Sequence, residues 1–289
     1  MILDQSAIQD VLHRAFEEDS PNGDITSEHV IPEHVIGEAD LVAREGGVLS
    51  GISIFADAFS FIDTQVEVEQ YAADGHHFQA GERLAKVSGS MRAILRSERI
   101  ALNFVQHMTG IATATAMFVN EVQGKSIAIK DTRKTLPGLR AIQRYAVVCG
   151  GGTNHRDGLS DAVMMKDNHL AALRSSGITI AHAIEEARKI RVDGKPVSVE
   201  VEIDDLGQIN DVLEGKPDVI MLDNFSPADT VRAVRNIHRM SHHQIEIEAS
   251  GNMTLEKVRS IADSGIDVIS IGSLTHSVIG VDLGLDWVS

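Results

Sequence analysis

Residues 126–169 read SIAIKDTRKTLPGLRAIQRYAVVCGGGTNHRDGLSDAVMMKDNH, and this stretch decides the fold. An apolar run ends at Lys130 and a polar turn follows. Residues 139–148 have helical spacing, and a second apolar run, 161–166, ends at Lys166. Strand, turn, helix, strand is the repeating unit of a parallel sheet, because parallel strands need a crossover. The stretch is also a cationic island. Residues 130–169 hold seven Lys/Arg and four acids, in a chain of formal net charge −16. Local positive charge in an anionic chain points to a small anionic ligand, since a nucleic-acid binder is usually basic overall. The plainer reading is a solvated face with a glycine turn at Gly150-Gly151-Gly152.

Working outward, the unit repeats after Gly124. Strands are expected at 126–130, 161–166, 197–202, 218–223, 244–249 and 267–271, with helices at 139–148, 179–190, 206–213, 227–240 and 255–264. Interiors such as VIML and VISI imply a sheet covered on both faces. Upstream, Ile8, Val11, Leu12, Ala15 and Phe16 fall at helical spacing. Short strand-like runs follow near 39–43, 64–71 and 83–87, with a helical segment at 52–62. Residues 90–122 read as one long helix or a kinked pair. The expected organisation is an N-terminal α+β domain, 1–112, then an incomplete parallel β/α barrel, 113–276. A tail, 277–289, has room to pack back on the N-terminal domain.

With 289 residues and 43% apolar content the chain can bury a large core. No apolar run is long enough to span a bilayer, and the start lacks the pattern of a signal peptide. The single cysteine, Cys149, cannot form an intrachain disulfide, which fits a cytoplasmic location. The acidic balance argues against nucleic acid and anionic membranes as partners. Cys149 reads as a small buried residue, His76 and His77 as turn residues, and His169 and His276 as helix-cap or core positions.

The strand ends carry the chemistry. Lys130 leads into Asp131, Thr132, Arg133 and Lys134. The next strands end at Lys166, Glu202, Asp223, Ser250-Gly251-Asn252 and Gly272-Ser273. In a parallel barrel these carboxyl ends converge on one mouth. Arg133, Lys134, His155, Arg156 and Lys166 suit carboxylates. Glu202 and Asp223 suit Mg²⁺ that also touches phosphate oxygens. Backbone N–H groups after the last strands suit a phosphate. Together these features suggest transfer of a phosphorylated sugar to an acidic acceptor.

KDTRKTLPGLR, GGGTNHR, VMMKDNH, VEVE, MLDNF, EASGN, IGSLTHS and the upstream SERIALNFVQHMTGIATAT resemble the quinolinate phosphoribosyltransferase family, in order and over nearly the whole chain. The resemblance implies a type II phosphoribosyltransferase fold. It implies transfer of phosphoribosyl from phosphoribosyl pyrophosphate to quinolinate with decarboxylation, giving nicotinate mononucleotide, pyrophosphate and CO₂ in de novo NAD biosynthesis, with Mg²⁺ as cofactor. It also implies a homodimer or dimer-based oligomer in which Arg99 serves the neighbouring subunit's site. By matching position, Thr132, Arg133, Lys134, His155, Arg156 and Lys166 resemble the quinolinate end. Glu202 and Asp223 resemble the acids facing the ribose and the metal, directly or indirectly. Ser250, Gly251, Asn252, Gly272 and Ser273 resemble phosphate contacts, and Lys134, Glu202 and Asp223 take the catalytic roles. Gln143-Arg144 stands where many members carry Glu-Lys, and Asn252 where glycine is common.

Other readings stay open on the sequence. A molybdenum-transport-associated relative shares the barrel, a Schiff-base aldolase would use Lys166, and a phosphate-sensing protein would need no paired acids.

Overall fold

The computed structural model describes residues 3–241 and 244–288. Contacts divide it into two units: Met1–Ala116 with Thr135–Gly152 and Leu274–Ser289, and Met117–Lys134 with Thr153–Ser273. Residues 135–152, which carry the helix Arg140–Cys149, therefore group with the first unit.

The first unit is built on a four-stranded antiparallel sheet in the order Leu283–Trp287, Ile36–Ala43, Arg83–Ser90, Glu67–Gln70. Its outer strand comes from the chain's far end, pairing Leu41 with Leu285. The helix Gln5–Asp19 starts on Asp4, whose side chain accepts the Ser6 N–H, and buries Ile8, Val11, Leu12 and Phe16. Phe16 stacks on Phe61 with ring centroids 4.9 Å apart. Residues 90–122 form a single helix, Met91–Glu121, not a kinked pair. The triple glycine serves packing here more than conformational freedom. A Cβ on Gly150 would lie 2.3 Å from Ala112 O, and one on Gly152 2.8 Å from Thr115, so bare backbone lies against the long helix. Only Gly151 of the three has a left-handed φ, +86°. Cys149 is half-buried and free.

The second unit is a parallel sheet of six strands in the order Ala128–Lys130, Val268–Ser270, Glu246–Ser250, Val219–Asp223, Val199–Ile203, Val163–Met165. Each expected strand is present and begins one or two residues late, and Val199–Ile203 and Glu246–Ser250 each run one residue past their expected ends. The first and last strands of this order do not pair with each other, which is the open seam of an incomplete barrel. Thr153 covers part of the free edge of Ala128–Lys130 by bridging Lys130 in parallel. The helix Pro227–Met240 has the expected bounds, with Ser226 capping it and Pro227 in its first turn. Among the helices not expected, which also include Ile25–Val30 and Ser273–His276, is Asp167–Ser175. At its start His169 Nδ1 accepts the Lys166 N–H at 3.0 Å, so His169 is a helix-cap residue.

Strand alternation sorts the barrel's interior. Glu246, Glu248 and Ser250 share one face of their strand, as do Glu200 and Glu202 of theirs and Val219, Met221 and Asp223 of theirs. Register places Asp223 beside Ser250 and Glu202 beside Met221. The polar strand ends thus stand at one level.

Candidate active site

The loop after Ala128–Lys130 is fixed by a buried acid. Asp131, 1% exposed, accepts the His155 N–H at 2.7 Å and the Asn154 Nδ2 at 2.6 Å. Its own N–H donates to Thr153 O at 3.2 Å. The acid of KDTRK therefore sews the NHR run to the strand end, and Arg133 and Arg156 come to one wall although far apart in sequence. Burial lowers the proton affinity of the Arg156 guanidinium, and the nearby Arg133 charge lowers it further. Arg133 Nε is buried and has no hydrogen-bond partner among the described residues. An unpaired buried donor is costly, and an anionic ligand's oxygen would satisfy it.

One cavity of about 350 Å³ is lined by Thr132, Arg133, Lys134, His155, Arg156, Lys166, Glu202, Asp223 and Ser250. Met164, Met221 and Ser270 complete the lining, and the methionines give a flat ring an apolar surface to lie on. Lys166 Nζ lies 3.1 Å from Glu202 Oε2. Gly251, Asn252, Gly272 and Ser273 are not among the lining residues. Arg99 is exposed on the helix Met91–Glu121 and belongs to the first unit.

Below Ser250 the backbone is tightly folded. Gly251 has φ +88°, and Asn224 and Asn252 also adopt left-handed backbones. Asn252 Nδ2 donates to Asn224 Oδ1 at 3.1 Å, locking two successive strand-end loops together. Lys257, which the sequence did not single out, donates to Gly251 O at 2.8 Å. Burial depresses its ammonium's proton affinity, and Asp223 opposes that.

The chain matches the family model for the quinolinate phosphoribosyl transferase N-terminal domain over residues 24–109 and that for the C-terminal domain over 111–286. The chain belongs to the quinolinate phosphoribosyltransferase family. It is 39% identical to the nicotinate-nucleotide pyrophosphorylase [carboxylating] of Mycobacterium leprae over 97% of both chains. It is 40% identical to the probable enzyme of that name from Bacillus subtilis, over 96% of this chain and 93% of that one. A solved nicotinate-nucleotide pyrophosphorylase from Francisella tularensis superposes with a TM-score of 0.89 at 33% identity, covering 99% of this chain and 98% of that one.

Membership leaves a buried group at this site to be explained. Glu200 and Glu248 are 4% and 1% exposed, and each has an oxygen 3.4 Å from His155 Nε2. Ser270 Oγ donates to Glu248. Burial raises the Glu200 carboxyl's proton affinity, against His155 and with the Glu248 charge. For His155, burial works against protonation, but hydrogen bonds to Glu200 and Glu248 outweigh it and raise its proton affinity. The donor types of these three residues also match a metal site. The Arg156 N–H lies 2.8 Å from His155 Nδ1 and donates to it in the neutral ring, whose hydrogen is then on Nε2, where a metal would have to bind.

Proposed function

We propose that this protein transfers the phosphoribosyl group of phosphoribosyl pyrophosphate to quinolinate with loss of CO₂, forming nicotinate mononucleotide for NAD biosynthesis. The observation that carries this reading is the pairing, in one cavity, of a buried unpartnered Arg133 donor beside Arg156 with the two acids Glu202 and Asp223. The arginines and Lys166 suit two ring carboxylates, since guanidinium grips a carboxylate with paired N–H donors. Met164 and Met221 suit the ring itself. Positive charge grows at the ribose carbon as the pyridine nitrogen attacks and pyrophosphate leaves. Glu202 and Asp223 are suited to stabilise it. Lys134, exposed at the rim, is suited to steady the acceptor or the leaving group. Ser250, Gly251, Asn252, Gly272 and Ser273 are the phosphate end.

Mg²⁺ fits this place. A smaller cavity of about 110 Å³ shares Glu202 and Asp223 with the main one and adds Asp167 and Asp204. Hard carboxylate oxygens with room for water are what this ion takes. When bound it would neutralise charge on the departing pyrophosphate.

Transfer precedes decarboxylation on this reading, because the alkylated ring nitrogen stabilises the carbanion that loss of CO₂ leaves beside it. Single-turnover mixing that finds free nicotinate ahead of nucleotide would reverse the order. The decisive test mixes the protein with quinolinate, phosphoribosyl pyrophosphate and Mg²⁺. Stoichiometric CO₂ and nicotinate mononucleotide are expected, and their absence sinks the assignment.

The working unit on this reading is a homodimer in the cytoplasm, with Arg99 serving its neighbour's cavity. Assayed at substrate concentrations well below KM, where each variant alone turns over slowly, mixed Arg99→Ala and Lys166→Ala proteins should regain part of the activity, because some mixed dimers have one intact site. No recovery after subunit exchange would refute sharing.

A further inference from the structure

The barrel interior beneath the cavity holds two charged side chains that contact with a ligand does not account for. Parallel barrels ordinarily fill this layer with branched apolar residues. Burying carboxylates is costly unless their partners are well placed. Here the partner is His155. Glu200 Oε2 and Glu248 Oε1 flank its Nε2, Ser270 steadies Glu248, and the Arg156 N–H occupies Nδ1. Both ring nitrogens are therefore engaged inside the protein. The His155 backbone is held as well, by Asp131. What extends from this fixed point is the next residue, Arg156, whose guanidinium donates to Ala162 O at 2.9 Å.

We propose that Glu200 and Glu248 are positioning residues for the acceptor end of the cavity: by clamping the His155 ring they fix the turn from which Arg156 reaches a dicarboxylate. This rests on the quinolinate reading. Arg133 disfavours the neighbouring Arg156 charge and Glu200 favours it, so the arginine needs both a rigid base and a counter-charge before the dianion arrives. A rigid base matters because a side chain displaced by about 1 Å loses much of what it contributes to binding or rate. His155, on this account, acts through its neighbour instead of offering a nitrogen to the ligand.

The test is a mutant cycle read by quinolinate calorimetry and by KM for each substrate. Glu248→Ala should weaken quinolinate binding about tenfold or more, because it removes a charged acceptor from a buried N–H. The KM for phosphoribosyl pyrophosphate should stay within about twofold. Glu248→Gln, whose amide oxygen still accepts from Nε2, should recover most of the loss. In an Arg156→Ala background, Glu248→Ala should change quinolinate affinity by less than about twofold, the margin within which independent effects add. Equal losses with and without Arg156, or a parallel rise in both KM values, overturns the proposal. If Glu248→Ala fails to fold, the same cycle with Glu200→Gln and Glu248→Gln decides: their smaller loss must vanish once Arg156 is gone. Wild-type protein that turns over quinolinate while the cycle is additive refutes the clamp alone. Wild-type protein that neither binds nor converts quinolinate refutes the activity itself.

Discussion

Lys166 Nζ lies 3.1 Å from Glu202 Oε2, joining the ends of two paired parallel strands. The lysine side chain is 43% exposed and the glutamate 14%. So exposed a partner makes the pair a weak contributor to folding. On the function proposed above, it couples a cation of the acceptor end to an acid of the ribose end. Lys166→Ala removes the cation and frees the Glu202 charge together. KM for both substrates should rise, each by about tenfold, or ~1.4 kcal/mol, while Tm moves little. A rise confined to quinolinate would show that the pair does not couple the two ends.

Asp131 reaches the cavity only through what it holds. Its two oxygens take the His155 N–H and the Asn154 amide, and it is buried. Asp131→Asn substitutes an N–H donor for one acceptor and leaves a buried donor facing another. Stability should fall by about 1–3 kcal/mol in urea titrations, and quinolinate affinity should fall with it. Unchanged stability would mean that the NHR run is held by other contacts.

Gly251 has no room for a side chain. A Cβ there would sit 2.3 Å from Asn224 Oδ1 and 2.7 Å from the Asn224 backbone nitrogen, on a residue whose φ is already +88°. Gly251→Ala must therefore move one strand-end loop against the other. KM for phosphoribosyl pyrophosphate should rise about tenfold while quinolinate affinity measured alone is kept, because the arginine wall does not include this loop. Normal kinetics would remove the loop from the phosphate end.

Much of this was legible because polar residues punctuated apolar runs. The six strands were found from that punctuation, and most of the cavity came with them. The reading stopped at the last polar residue of each run, and so passed over Glu200 and Glu248. VSVEVE and IEIEAS announce them by period-two alternation, since an acid two positions before a strand-end site residue faces the same interior. The triple glycine was read for conformational freedom, but Gly150 and Gly152 answer to the long helix, a neighbour that nothing local in the sequence reveals. The helix Asp167–Ser175 was hidden because Lys166 stands at its N-cap and the cap contact comes from His169, not from the Ser, Thr or Asp that usually mark an N-terminus.

Gln143 leads to a pH dependence. It is fully buried on the helix Arg140–Cys149. Its Oε1 accepts the Leu136 N–H at 2.9 Å, and its Nε2 donates at 2.9 Å both to Thr275 O and to His107 Nε2. His107 must therefore accept, which only the neutral ring can do at that nitrogen. Burial holds its pKa below the ordinary 6.5. The unfolded chain then takes up the proton more readily than the folded one. The contribution of His107 is complete above pH 6.5 and is lost as pH falls below 6.5 toward the depressed folded value. His107→Gln, which keeps an acceptor but no titration, should be less stable than wild type near pH 7.5, and the gap should narrow near pH 5.5. Urea midpoints of the two proteins at both pH values check this, and because every other titrating group is common to both, a constant gap would place the acid sensitivity elsewhere.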